Sequence, residues 1–564
     1  MSVVAIPSAP AARLSREEWI MRLGVLLLVA WLMLTIAFPL WALLSKSFQN
    51  ADGRFVGLAN YVRYFSTPTL YGSIANSIGV AIVVTMIVIP LAFGYAYALT
   101  RSRMPLRSLF YAGAMLPLFA PSLLSAISLI YLFGNQGLLR GLLFGGSIYG
   151  PVGIVVAQVF YCFPHALIIA VTALALADAR LYEVADALGT TNARIFRTVT
   201  LPGAKFGLIN AAFVVFTLVV TDFGIAKVIG GQFNVLATDA YKQVVGQQNF
   251  EMGAVVGMVL LVPAVLAFAI DRVVQRRQVA LLSARAVPFE PKESRLRDAA
   301  LLCFCLVVVG LLIMVLGTAI WASFITYWPY NLSLTFKNYD FGTFDQSGWS
   351  SYANSVMMAA LAAIIGTTIV FTGAYLVEKT KVFAGGRMIA HLLAMLPMAV
   401  PGLVLGLGYV FFVNASWNPL NILYGTLLVL VINCVAHFFT VAHITALTAL
   451  KQIDPEFESV SASLKVPFWR TFRRVTVPIC MPAILDIAVY LFVNALTTVS
   501  AVIFLYGPGT KLAAIAIVHM DEAGATSGAA AMASVIVATA LAAKLLHILL
   551  DRVLFMRWQA WRRR

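Results

Sequence analysis

One carboxylate stands out within the long apolar stretches of the sequence. Asp222 is the only acidic residue well inside the fifth of these stretches. An ionised carboxylate is costly in apolar surroundings unless it has a partner, and a substrate ammonium group would be one. The competing interpretation places Asp222 near a helix end, where it caps backbone groups or pairs with Lys227. Asp222 is therefore a candidate pathway residue with a structural alternative.

Two asparagines at matched positions are the other polar candidates. Asn76 and Asn354 each lie in an Ala-Asn-Ser triplet at the start of an apolar segment. They either line a passage or form hydrogen bonds between helices. The histidines of the apolar segments have no accompanying carboxylate cluster, so we predict buried, hydrogen-bonded histidines and no metal site. These histidines are His165, His437 and His443.

Two polar loops carry short apolar stripes with helical spacing. In each stripe the residues recur at i, i+3, i+4 and i+7, which predicts a helix of about two turns with one apolar face. The stripes are Leu181, Val184, Ala185 and Leu188 in the loop 178–202, and Phe457, Val460, Ser461 and Leu464 in the loop 454–478. Such short helices are marginal alone in water, so each must pack on something. That surface is either the rest of the chain or a cytoplasmic partner, and the repetition favours a dimeric partner.

The composition defines the elements that hold these residues. Of 564 residues, 61% are apolar and 11% are charged, and the mean hydropathy is +0.91. A soluble globular protein has about a quarter charged residues, so the composition excludes a soluble enzyme, a disordered chain and a disulfide scaffold. Continuous apolar runs also exclude a barrel, whose strands alternate. The chain is predicted to be an all-α membrane protein.

Twelve apolar segments have the length that a bilayer core requires of a helix. The first is too long for the apolar core of a signal peptide, so we expect a retained helix. Of the 39 Lys and Arg residues, 30 fall in one set of alternate loops and 8 in the other. This bias predicts that both termini are cytoplasmic, and it orients loops rather than binding nucleic acid. The segments are 22–44, 73–99, 108–133, 150–176, 206–229, 252–271, 299–325, 353–377, 388–413, 421–449, 483–506 and 527–550.

The chain is a duplicated unit. Asn60-Tyr61 recurs as Asn338-Tyr339, and the Ala-Asn-Ser triplets recur with the same shift of 278 residues. The segment RTVTLP at 197–202 returns as RRVTVP at 473–478. We predict two six-helix domains, at 1–285 and 286–564, with a passage between them. Because each has an even number of spans, the repeats are parallel.

The first loop resembles a motif of known importers. Glu183-Val184-Ala185 is followed after three residues by Gly189, and after nine more by Val199-Thr200-Leu201-Pro202. This is similar to the EAA loop of binding-protein-dependent ABC importers, whose pattern is E-A-A, three residues, G, nine residues, I-x-L-P. The second loop is degenerate, with Ser459 at the Glu position and Lys465 at the Gly position.

The resemblance implies a fold of two tandem six-helix permease repeats of the type I ABC importer class. It also implies that both loops form coupling helices that insert into a groove of a cytoplasmic ATPase dimer. The coupling residues it implies are Leu181, Glu183, Val184, Ala185, Leu188, Gly189, Phe457, Glu458, Val460 and Leu464. No G-x-x-x-x-G-K-[ST] phosphate loop is present, so we expect neither enzyme activity nor a cofactor in this chain.

The resemblance extends over the chain to fused double permeases of ferric-iron, thiamine and 2-aminoethylphosphonate importers. Similarity to the 2-aminoethylphosphonate branch lies in 55–61, 178–183 and 221–234, and it ranks that substrate first, with ferric iron or thiamine as alternatives. The implied setting is the bacterial inner membrane, with membrane lipid and a periplasmic solute-binding protein as further partners. An ion-coupled secondary transporter with 6+6 helices is the alternative of another class, although the spans have few of the paired acids such a carrier uses.

Overall fold

The computed structural model describes residues 15–175, 178–279, 289–291, 293–380 and 382–558. Within them, eight long helices are apolar enough to cross a membrane, and four bent helix pairs bring the total to twelve spans. The fold is therefore all-α and multi-pass, as predicted. The eight continuous helices, spans 1, 2, 4, 5, 6, 7, 8 and 12, are Arg16–Ser47, Pro68–Arg101, Pro151–Ala175, Asn192–Thr221, Phe250–Val279, Arg295–Ser323, Trp349–Glu378 and Thr526–Trp558.

The bent spans are 3, 9, 10 and 11. Spans 3 and 9, at equivalent places in the two repeats, break most sharply, by 99° and 115°. In both, a proline directly precedes the second helix: Pro121 before Ser122 and Pro401 before Gly402. Proline cannot continue the preceding helix, so the chain turns there. The pairs are Arg107–Phe119 with Ser122–Phe133, Ala384–Ala399 with Gly402–Val413, Leu427–His437 with Phe439–Lys451, and Phe468–Ile479 with Met481–Thr497.

Span 5 differs from its predicted limits of 206–229. It begins at Asn192 and ends at Thr221, so the tail of the first loop motif belongs to the membrane helix. A π-helical turn at Phe196–Thr200 directly precedes Leu201-Pro202, and Phe472–Thr476 does the same before Val477-Pro478 in span 11. The wider turn loosens the backbone where the proline ring would otherwise crowd a carbonyl, so the helix passes through the proline instead of ending.

Shorter elements connect the spans. A β-hairpin of β1 (Ile325–Tyr327) and β2 (Asn331–Leu334) follows span 7. Six short helices matter below: α1 (Ala59–Ser66), α2 (Ala179–Ala187), α3 (Gly224–Ile229), α4 (Leu236–Tyr241), α5 (Glu456–Ser463) and α6 (Ala513–Glu522). Helices α2 and α5 lie in the two loops with apolar stripes, so the predicted loop helices are present.

The first span of each repeat packs on the other repeat. Span 1 contacts spans 8 and 9, and span 7 contacts spans 2 and 3. The approach is close: a Cβ atom at Gly408 of span 9 would lie 2.6 Å from the carbonyl oxygen of Pro39 in span 1, and one at Gly113 of span 3 would lie 3.2 Å from Val309 of span 7. Each glycine thus lets two helices meet backbone to side chain. The repeats form one interlocked bundle.

The recurring Asn-Tyr pair has a structural role in both repeats. The Asn60 side chain donates to the carbonyl oxygens of Ser47 and Gln49 at 3.0 and 2.8 Å, and the Tyr61 hydroxyl is 2.9 Å from Ser47 Oγ. Asn338 and Tyr339 repeat these bonds at the end of span 7. The pair therefore closes the C-terminal end of the first span in each repeat. The domain limits of 1–285 and 286–564 stay a prediction, and residues 280–288 lie outside the described part.

Candidate functional site

Helix α2 exposes three large apolar side chains. Leu181, Val184 and Leu188 are 58%, 58% and 77% exposed, whereas Ala185 is buried. The predicted stripe is thus divided: Ala185 faces the protein, and the three larger residues face away. Asp178 caps the helix by accepting from the backbone N–H of Arg180 at 3.1 Å. The surface that α2 presents is apolar and uncovered in this chain, which is what a partner-binding helix requires.

The opposite side of α2 is held by a buried tyrosine. The Tyr182 hydroxyl donates to Thr200 Oγ1 of span 5 at 3.1 Å. Buried Arg101, the last residue of span 2, donates to the Leu174 carbonyl oxygen at 2.8 Å and to Tyr182 Oη at 3.4 Å. Phe289, from the segment that joins the repeats, packs with its ring centroid 4.4 Å from that of Tyr182. A displacement of α2 is therefore transmitted to spans 2 and 5.

Helix α5 has the same organisation with different chemistry. Phe457, Val460 and Leu464 are 44%, 55% and 69% exposed. On the other side, Glu458 forms an ion pair with Lys379 Nζ at 3.2 Å, and Lys379 also donates to the Ile453 carbonyl oxygen at 3.1 Å. The second loop has lost the EAA residues, yet it retains the exposed apolar face and an anchor to the membrane helices.

The two anchors occupy equivalent positions, which the motif alone did not reveal. Arg101 and Lys379 are 278 residues apart, and Tyr182 and Glu458 are 276 apart. A buried cation at the cytoplasmic end of the second span of each repeat thus contacts the loop helix in both. Arg101, Lys379 and Tyr182 were missed by the sequence analysis. The recurrence of a cation at the shift of the Asn-Tyr pair was the signal that pointed to the first two.

A left-handed residue ends both loop helices. Gly189 has φ of +66° and Lys465 has φ of +51°. The hydrogen bond from Thr190 N–H to the Ala185 carbonyl oxygen, 3.0 Å, recurs as Val466 N–H to Ser461 O, 2.9 Å. Glycine adopts this conformation without the strain of a side chain, and Lys465 adopts it despite one. The helix-ending turn predicted at Gly189 is present, and the degenerate loop preserves the same turn.

Aromatic rings join each loop to the second span of its repeat. Phe196, in the π turn of span 5, lies 6.0 Å from Phe93 and 5.8 Å from Tyr97 between ring centroids. Phe472 makes the corresponding contacts with Phe371 and Tyr375 at 5.9 and 4.7 Å. Rigid rings packed in this way move together, so the π turns give the loop helices a second connection to the bundle.

Asp222 lies at the end of span 5 opposite the loop helices. One carboxylate oxygen, Oδ2, accepts from the backbone N–H of Ile225 at 2.9 Å and from Gln158 Nε2 of span 4 at 3.0 Å. Lys227 pairs with Glu522 instead of Asp222. Asp222 therefore caps α3 and ties it to span 4, which is the capping part of the structural alternative. A contact with substrate stays a prediction.

Asn76 and Asn354 make equivalent bonds to the backbone. Asn76 Nδ2 donates to the Asn234 carbonyl oxygen at 2.9 Å, and Asn354 Nδ2 donates to those of Gly509 and Lys511 at 3.0 and 3.1 Å. The neighbouring serines, Ser77 and Ser355, accept from the first backbone N–H of α4 and α6. Both triplets thus position α4 and α6 against the second span of each repeat. Whether the asparagines also line a passage stays a prediction.

The histidines are less well satisfied than predicted. His165 Nδ1 lies 3.3 Å from the Tyr161 carbonyl oxygen. Neither ring nitrogen of His443 has a hydrogen-bond partner within the described residues, although the side chain is completely buried. In the same part of the chain, no three His, Cys, Asp or Glu side chains are arranged to hold a metal ion.

The two repeats also meet at the end of the bundle opposite the loop helices. Helix α3 of the first repeat contacts α6 of the second. Lys227 Nζ is 2.5 Å from Glu522 Oε1. The rings of Tyr241 and Phe504 stack across the same boundary, with centroids 6.3 Å apart. The bundle therefore has exposed apolar handles at one end and a closed contact between repeats at the other.

Comparison with known proteins agrees with this arrangement. The family model described as binding-protein-dependent transport system inner membrane component matches residues 86–279 and 373–555. The two matched segments fall in the two repeats, and each contains one loop helix and its anchor. Together they cover more than half of the chain.

Three relatives indicate how the family varies. The putative ferric transport system permease protein FbpB 1 of Haemophilus influenzae is 28% identical over 85% of this chain and 76% of its own length. The ferric transport system permease protein FbpB of Actinobacillus pleuropneumoniae is 27% identical over 90% and 75%. The spermidine/putrescine transport system permease protein PotB of Haemophilus influenzae is 24% identical over 43% of this chain and 89% of its own length. The chain belongs to the family of binding-protein-dependent transport system inner membrane components, as a double-length member with two permease repeats.

Proposed function

We propose that this chain is the complete membrane-spanning part of an ATP-driven importer. Two copies of a cytoplasmic ABC ATPase bind α2 and α5, and a periplasmic solute-binding protein delivers the solute to the opposite end. The observation that carries the proposal is the pair of loop helices, each with an uncovered apolar face and a buried anchor to the second span of its repeat. Both termini are then cytoplasmic, in line with the excess of Lys and Arg in those loops.

The mechanism follows from the two ends of the bundle. When the ATPase dimer closes on ATP, it draws α2 and α5 together, and the anchors pass the displacement to the membrane helices. The repeats then separate at the α3–α6 contact, and solute enters between them. ATP shifts the equilibrium because it binds the closed ATPase dimer better than the open one. The chain itself hydrolyses nothing.

For the substrate we propose ferric iron, ahead of 2-aminoethylphosphonate. Two relatives named as ferric transport permeases align over 85% and 90% of this chain, whereas no comparison supports the phosphonate. The segments that suggested the phosphonate include Asn60, Tyr61 and Asp222, whose bonds position backbone. Side chains that brace the fold recur among permeases of many substrates, so they carry little information on which solute is transported.

The test is uptake by a strain that lacks this chain. Labelled ferric iron, 2-aminoethylphosphonate and thiamine are supplied separately, with and without the chain restored from a plasmid. We expect ferric-iron uptake alone to depend on the chain. Uptake of the phosphonate alone would reverse the substrate proposal and leave the permease function intact.

An ion-coupled carrier is tested separately. Purified chain in proteoliposomes, with an ion gradient and without an ATPase, is expected to transport nothing. Gradient-driven transport under these conditions would overturn the importer proposal itself.

A further inference from the structure

An ion pair links the two repeats at the end opposite the loop helices. Lys227 of α3 and Glu522 of α6 approach to 2.5 Å, with side chains 20% and 39% exposed. Lys227 Nζ also lies 4.9 Å from the ring centroid of Tyr241, which belongs to its own repeat. Lys227 is thus attracted by a carboxylate of the other repeat and by the face of an aromatic ring of its own.

The aromatic contact continues across the boundary. Tyr241 stacks on Phe504 of the second repeat, with ring planes 26° apart. Beneath these rings, the apolar residues of both helices are buried. They include Ile225 and Ile229 of α3 and Ile517 and Val518 of α6. The repeats can separate here only if the pair and the stack break together.

The pair has no symmetric counterpart. The shift of 277 residues that relates the first backbone N–H of α4 to that of α6 places Phe504 at the position of Lys227, and Val245 at the position of Glu522. Phe504 and Lys227 accordingly both lie against Tyr241. One electrostatic contact therefore stands where the duplication alone would give two apolar ones.

We propose that Lys227 and Glu522 form a latch that closes the outer end of the passage in the resting transporter. A partly exposed ion pair is weak, so the latch opens when the ATPase dimer closes and re-forms afterwards. This inference rests on the proposed importer function, and it assigns the residues that prevent the repeats from separating before ATP binds. Without the latch, the outward-open state is reached more easily, and ATP is hydrolysed without solute delivery.

The test uses the reconstituted complex of the whole chain with its ATPase subunits in nanodiscs. ATP hydrolysis is measured without the solute-binding protein for Lys227→Ala, Glu522→Ala and the exchange Lys227→Glu with Glu522→Lys. We expect each single substitution to raise this basal rate about twofold to fivefold, as the loss of a partly exposed ion pair allows. The exchange restores the opposite charges and is expected to return the rate to near the wild-type value.

A matched control lies at the same end of the bundle. Lys511 and Asp345 form an ion pair at 2.8 Å, and both belong to the second repeat. Lys511→Ala is expected to leave basal hydrolysis unchanged, because this pair does not cross the boundary. Equal stimulation by Lys511→Ala, or no restoration by the charge exchange, would overturn the latch.

A covalent version separates failure of the latch from failure of the function. Lys227→Cys with Glu522→Cys, in a Cys303→Ser background, is oxidised to a disulfide. We expect oxidation to stop solute uptake and reduction to restore it. If wild-type hydrolysis responds to the binding protein but oxidation leaves uptake unaffected, the latch is wrong and the importer function stands. If the wild-type complex shows no coupled hydrolysis, the proposed function itself fails.

Discussion

The exposed apolar face of α2 allows a quantitative prediction for Leu188. Its side chain is 77% exposed and touches little of its own chain, so Leu188→Ala should leave the fold of the permease unchanged. Fully burying a leucine side chain stabilises by roughly 1.5–3 kcal/mol. If the ATPase covers the exposed three quarters, Leu188→Ala should weaken binding by about 1–2 kcal/mol, or roughly 5- to 30-fold in Kd.

The assay is titration of purified ATPase subunits onto the chain in nanodiscs, with binding followed by a fluorescent label on the ATPase. Leu142→Ala is the matched control, because Leu142 is 61% exposed in the loop between spans 3 and 4, at the other end of the bundle. It should leave Kd unchanged. Leu464→Ala on α5, where the leucine is 69% exposed, should resemble Leu188→Ala.

The reasoning is refuted if Leu188→Ala binds the ATPase within twofold of the wild type while its thermal unfolding is normal. Such a result would mean that the apolar face of α2 meets lipid or another part of the assembly. The same change at Leu142 weakening binding as strongly would show that the loss reflects general destabilisation.

The remaining predictions concern the support of α2 and the role of Asp222. Gly189→Ala should lower coupled ATPase activity by no more than about fivefold, because its Cβ meets no atom within 4 Å and only left-handed strain of about 1 kcal/mol is added; Gly189→Arg should lower it further by placing a charged chain beside the docking face. Tyr182→Phe should lower coupled activity severalfold, since it removes the hydrogen bond to Thr200, worth about 1 kcal/mol. Phe289→Ala should do the same by removing the ring that packs on Tyr182, a contact worth about 0.5–1.5 kcal/mol. Asp222→Asn should keep uptake within twofold, because an amide oxygen can accept from the same two donors.

Each of these variants has an outcome that contradicts its reason. Full coupling in Gly189→Arg would count against docking at α2, and a complete loss in Gly189→Ala would show that the turn tolerates less than Lys465 suggests. Unchanged coupling in both Tyr182→Phe and Phe289→Ala would mean that the anchor does not transmit force. Abolished uptake in Asp222→Asn, with normal membrane insertion, would give Asp222 a charged role in the pathway.

Much of the fold was predictable because membrane insertion depends on composition along the chain. A helix must satisfy its own backbone in lipid, so apolar length alone located twelve spans, and the duplication followed from matching triplets. The loop helices were predictable because spacing defines a face. Spacing does not decide which side of that face is covered, so Ala185 was grouped with Leu188 although the two lie on opposite sides of α2.

The sequence by itself determined the membrane class, the twofold repeat and the position of the two loop helices, since these depend on local composition and periodicity. Only the tertiary structure decided which repeat each first span packs on, how sharply spans 3 and 9 break, and which residues anchor α2 and α5. Arg101 meets Tyr182, and Lys227 meets Glu522, across 81 and 295 residues of chain. Contacts at such separations depend on how helices pack against one another, which local periodicity does not encode.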